Sequence, residues 1–120
     1  MKAAFLTSEA ENRMVRICYI EPGDVRREVE LEIGQTLMQG AIANGVRGIV
    51  AECGGACVCA TCHVYMDEGV LPALVPVSPT ENEMLDAVAA ERRPNSRLGC
   101  QIKASDALNG AIVRLPATQI

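Results

Sequence analysis

The run CGGACVCATC from Cys53 to Cys62, answered far downstream by Cys100, constrains this chain more than any other feature. A segment built from cysteine, glycine and alanine has neither the 3.6-residue period of a helix nor the alternation of a strand, so it reads as a loop. Small residues let such a loop turn inward around a bound group, and glycine leaves backbone N–H groups free to face an anion. Clustered thiolates are soft donors that suit iron-sulfur clusters, which take a set of four.

Five cysteines in this region compete for those places, and spacing chooses between them. Cys59 and Cys62 form the C-x2-C pair, and adding Cys53 gives C-x5-C-x2-C. Cys57 is two residues from Cys59, on a very tight path, and is assigned as a non-ligand. Cys100 closes the set. No choice of cysteines here gives the four-residue first gap of the plant-type ferredoxins. The sixth cysteine, Cys18, reads as a small hydrophobe on a strand.

The remaining sequence predicts a single domain of mixed α+β class. Met1 to Arg13 has no periodic pattern and is expected to be a flexible extension, with residues 14–120 forming the domain. Val15, Ile17 and Tyr19 alternate with polar neighbours, as do Val29, Leu31 and Ile33, with Pro22, Gly23 and Asp24 between them, predicting a hairpin. Thr36 is placed to cap a helix burying Leu37, Met38, Ala41 and Ile42, and Gly45 to end it. A strand is expected over His63 to Met66. Ser78, Pro79 and Glu81 form a capping-box pattern that opens a helix through Met84, Leu85 and Val88. Closing strands are expected over Leu98 to Ile102 and Ala111 to Leu115.

Charge narrows the partners. The net charge of −4 argues against nucleic acid, which is bound through clustered Lys and Arg. Between Ile49 and Arg92 the acids Glu52, Asp67, Glu68, Glu81, Glu83, Asp86 and Glu91 face Arg92 alone, so the middle of the chain is acidic. No apolar run has the length of a membrane span, and the opening residues lack the pattern of a signal peptide, which predicts a soluble, cytoplasmic protein with reduced thiols.

The stretches CGGACVCATCHVY and NSRLGCQI, with Asn44-Gly45 and the acidic segment around Glu83 to Asp86, resemble the adrenodoxin and putidaredoxin type of vertebrate and bacterial 2Fe-2S ferredoxin. That resemblance runs from about Met14 to Pro116 and implies a β-grasp fold with an additional acidic interaction helix. Its three-plus-one ligand pattern falls on Cys53, Cys59, Cys62 and Cys100, holding one 2Fe-2S cluster. His63 matches the family's structural histidine. The implied role is that of a monomeric bacterial electron carrier, not an enzyme, passing electrons from an FAD-containing NAD(P)H-dependent ferredoxin reductase to a cytochrome P-450 monooxygenase. Supplying electrons to iron-sulfur cluster assembly is the alternative. Glu81, Glu83 and Asp86, joined by Glu52, are the expected docking residues. The chain ends in Gln119-Ile120 where putidaredoxin ends in an aromatic residue, so partner choice should differ from that protein's. A zinc module would offer two ligand pairs, and a thiol-disulfide enzyme would have no use for Cys53 and Cys100.

Overall fold

The computed structural model describes residues 14–49 and 61–119. The expected hairpin forms from β1 (Met14–Glu21) and β2 (Val25–Glu32), paired antiparallel with Val15 opposite Leu31 and Ile17 opposite Val29. Pro22 and Gly23 fill the centre of the turn. Gly23 at φ +89° and the Asp24 N–H bond to the Glu21 carbonyl give a type II turn, which needs a residue tolerant of positive φ. Alternation puts Val15, Ile17, Tyr19, Val29 and Leu31 inside and leaves Arg16, Glu28 and Glu30 in water. Ile33 lies just past β2 and is exposed, so the inward pattern stops one step earlier than the sequence suggests.

Thr36 opens α1 (Leu37–Ala43) with a full capping box: its hydroxyl accepts from the Gln39 N–H, and the Gln39 side chain accepts from the Thr36 N–H. Leu37 and Ala41 enter the main core, and Met38 enters a second apolar cluster. Ile42, expected on the packed side, is instead half exposed, because the buried arc of so short a helix is already filled. The Tyr19 hydroxyl donates to the Leu37 carbonyl at 2.7 Å, and Arg27 donates to the Asn44 carbonyl at 2.8 Å, fixing both ends of α1 to the hairpin.

The chain then supplies β3 (His63–Met66), a 3-10 segment (Glu68–Ala73), α2 (Pro79–Leu85), β4 (Ser96–Leu98), 3-10 turns at Gly99–Gln101 and Asp106–Leu108, and β5 (Ala111–Arg114). The strands form one mixed sheet in the order β2-β1-β5-β3-β4, with β5 parallel to β1 and antiparallel to β3. The α+β class expected from the sequence is the one observed. Three local expectations are corrected. Leu98 to Ile102 does not run on as a strand, because after Leu98 the chain tightens into a 3-10 turn. The second helix ends at Leu85 rather than reaching Val88. Ser78 caps α2 by accepting from the Glu81 N–H, but the Glu81 side chain turns inward instead of completing the box. Among the described residues no helix is long and apolar enough to cross a membrane.

Gly40 shows how closely α1 sits on β2. A Cβ there would lie 2.5 to 2.8 Å from the Leu31 side-chain carbons. Gly40→Ala should therefore lower the melting temperature. The overpacking, about 1–3 kcal/mol, outweighs the gain of about 1 kcal/mol in helix propensity. Thermal melts of the two proteins side by side check the sign.

Candidate metal centre

Two of the expected ligands lie within the described residues, and the fold brings them together. Cys62 immediately precedes β3, and Cys100 sits in the 3-10 turn that follows β4. Antiparallel pairing of β3 with β4 sets His63 opposite Leu98, which leaves the two cysteines at the same end of the ladder. The Gly99 N–H donates to the Cys62 carbonyl at 2.8 Å. A Cβ on Gly99 would meet that carbonyl oxygen and the Met38 nitrogen, each at 3.3 Å, so glycine allows the segments bearing Cys62 and Cys100 to close against α1.

Both thiols are buried in an apolar cluster with Met38, Leu85 and Leu98. Gln101 Nε2 lies 3.4 Å from Cys100 Sγ and offers a donor to the sulfur. Paired soft donors, a dry lining and an amide directed at one sulfur fit an iron-sulfur group: thiolates need charge compensation in an apolar site, and hydrogen bonds to sulfur supply part of it. Cys53 and Cys59, expected as ligands, Cys57, expected not to be one, and Glu52, an expected docking residue, lie outside the described residues.

His63 follows Cys62 and is fully buried. Its Nε2 is 2.8 Å from Ser96 Oγ across the β3–β4 ladder, and its ring meets Tyr65 edge-on at 4.7 Å. Burial, helped by the Arg93 and Arg92 cations, lowers its pKa to about 4, so the ring is neutral near pH 7. Nδ1 has no hydrogen-bond partner among the described residues. The imidazole thus holds two strands together, as expected of a fixing residue.

The acidic residues divide into three environments. Glu81 is not on the surface: it is 1% exposed, and its carboxylate takes Arg97 Nε at 2.7 Å and Nη2 at 2.9 Å while also accepting the Leu98 N–H at 2.9 Å. Its expected docking role is therefore corrected, since a partner has no access to a carboxylate already bound bidentately inside the protein. Glu83 is exposed. Asp86 is exposed too, but holds Arg92 Nη1 at 2.6 Å. Sequence reasoning gave Arg97, Glu21 and Gln119 none of the contacts they make. Glu21 accepts the Arg47 N–H at 2.8 Å and Arg27 at 3.1 Å, and Arg47 lies shortly before the cysteine-bearing segment 50–60. Gln119 bonds the backbone of both Gly48 and His63.

The 2Fe-2S iron-sulfur cluster binding domain family matches residues 20–105. Ferredoxin CarAc of a Sphingomonas species is 53% identical over 88% of this chain and 95% of its own length. A reduced cysteine-to-serine variant of putidaredoxin from Pseudomonas putida superposes with a TM-score of 0.85 at 41% identity, covering 88% of this chain and 99% of that one. Putidaredoxin in its covalent complex with putidaredoxin reductase gives a TM-score of 0.81 at 42% identity, over 84% of this chain and 97% of that one.

The two helix carboxylates should behave differently on neutralisation. Glu81→Gln leaves Arg97 buried without its counter-charge and should cost about 3–5 kcal/mol. Glu83→Gln, on the wet side, should stay within about 0.5 kcal/mol of the parent. Urea melts of both variants test the contrast.

Proposed function

The chain belongs to the 2Fe-2S iron-sulfur cluster binding domain family, and on that premise we propose that it carries single electrons from an FAD-containing NAD(P)H-dependent ferredoxin reductase to a cytochrome P-450 monooxygenase. One 2Fe-2S cluster is its cofactor, and the chain is an electron carrier, not an enzyme. The bound cluster takes up and releases one electron. Cys53, Cys59, Cys62 and Cys100 are the proposed ligands, with Cys57 outside the set.

The observation that carries the partner assignment is the close likeness to putidaredoxin as it sits on its reductase. A carrier that must leave each partner quickly is served by a small interface guided by charge. Glu83 and Asp86 on the outer side of α2 supply that charge here, and Glu52 is proposed to join them. Bacterial relatives are consistent with a cytoplasmic setting.

Anaerobic protein should give a visible spectrum that bleaches on dithionite, together with the paramagnetic signal of a mixed-valence half-spin pair. A protein that stays colourless after reconstitution with iron and sulfide would sink the carrier reading. Cys57→Ser should keep the native spectrum, whereas serine at Cys53, Cys59, Cys62 or Cys100 should lose or alter it. Reduction by a putidaredoxin-type reductase should slow as salt rises, and Glu83→Gln combined with Asp86→Asn should slow it several-fold at low salt. A rate indifferent to both changes would return this face to a solvated surface. Failure of the reduced protein to reduce any P-450 tested, with reductase coupling intact, would move the terminal acceptor elsewhere.

A further inference from the structure

The residues that lead into and out of the segment 50–60 are held by an unusual set of bonds. At the entrance, the Val46 N–H donates to the Ala41 carbonyl and the Arg47 N–H to Glu21 Oε2. Gly48 then takes φ +106°, and a Cβ there would stand 3.0 Å from both Leu115 and Pro22. The strand-end residues Pro22 and Leu115 thus press on the entrance, and only a residue without a side chain fits between them. At the exit, the Cys62 carbonyl is held by Gly99.

Gln119 joins the two ends. Its Nε2 donates to the Gly48 carbonyl at 2.6 Å and to the His63 carbonyl at 2.8 Å, and its Oε1 accepts the His63 N–H at 3.1 Å. The side-chain amide therefore pairs with the backbone of His63 in both directions, as a neighbouring strand would, and spans to Gly48 with its second amide hydrogen. The residue is 6% exposed, although it stands next to the last residue of the chain. A buried polar side chain with every donor and acceptor engaged restrains what it touches. What it touches is the peptide unit next to Cys62, a proposed ligand, and the carbonyl of Gly48, shortly before the segment that carries Cys53 and Cys59.

We infer that Gln119 is a positioning residue for the cluster: its carboxamide clamps Gly48 to His63 and so holds Cys62 and the residues that flank positions 50–60 at a fixed separation. The clamp needs amide hydrogen bonding and not merely volume, because both a donor pair and an acceptor are used. Its loss removes three hydrogen bonds from the frame around the ligands and should let the loop ends separate more often, exposing the iron to solvent.

The experiment uses holoprotein challenged anaerobically with an iron chelator, following loss of the visible absorbance, alongside hydrogen exchange read by mass spectrometry. Gln119→Ala should lose its cluster about tenfold faster, and the peptide containing Cys62 and His63 should exchange faster while that containing Met14 to Glu21 is unchanged. Gln119→Met, which keeps volume without the bonds, should match Gln119→Ala. Asn109→Ala, which removes a side-chain bond to the Arg16 N–H elsewhere on the sheet, should leave cluster loss within twofold of the parent. Parent-like kinetics in Gln119→Ala, or in Gln119→Met alone, would overturn the clamp, as would an equal acceleration in Asn109→Ala. The inference rests on Cys62 being a ligand. A Cys62→Ser protein with a native spectrum would break that assignment, whereas a spectrum lost in Cys62→Ser with unchanged kinetics in Gln119→Ala would break the clamp alone.

Discussion

The buried pair of Glu81 and Arg97 determines how α2 stands on β4. Two charges withdrawn from water incur a large desolvation cost, and the attraction between them offsets it only with good geometry and further hydrogen bonds. Here both conditions hold. Two guanidinium nitrogens meet the two carboxylate oxygens, a third donates to the Val75 carbonyl, and one carboxylate oxygen also accepts the Leu98 N–H. The contact therefore fixes α2, the segment before it and β4 at once. Leu98 lies two residues before Cys100, so the same carboxylate that orients the helix also sets the strand that leads into Cys100.

That arrangement explains why one short helix carries carboxylates of opposite fate. Successive residues turn by about 100° around a helix axis, so Glu83 points about 200° away from Glu81. With Glu81 tied inward to Arg97, Glu83 must face water, and Leu85 completes the inward side against Cys62 and Cys100. The hydrophobic cluster and the ion pair thus share one helix face. The ladder of β3 and β4, the His63 to Ser96 contact and the Gly99 to Cys62 bond continue the same frame to the metal centre.

Much of this was legible in the sequence, because it rests on local chemistry. The alternation around Ile17 and Leu31 and the caps at Thr36 and Ser78 all depend on near neighbours. The fate of Glu81 was not legible in that way. A glutamate three residues after a serine cap usually reaches back to the cap, and only the arrival of Arg97 from a distant strand makes the inward rotamer better. Gln119 escaped for the same reason, since its partners Gly48 and His63 are 71 and 56 residues away. The two strand ends read too long at Ile33 and Ile102 because apolar residues beyond a ladder keep the pattern after the hydrogen bonding stops.

The two arginines associated with α2 divide rigidity from adaptability. Arg97 is 6% exposed on its side chain and bound to a carboxylate at 1%, so exchanging its partner would strand a charge away from water. Arg92 meets Asp86 at a surface where the carboxylate side chain is 70% exposed, and solvent screening leaves such a pair worth about 0–1 kcal/mol. Arg92 also donates to the carbonyl and side chain of Asn82, so it stays near the helix when Asp86 turns to another cation. On this side of α2 Glu83 is exposed and Asp86 is held only weakly. Rearranging that outer pair leaves the Glu81 to Arg97 contact and β4 undisturbed, since neither Arg92 nor Asp86 takes part in it.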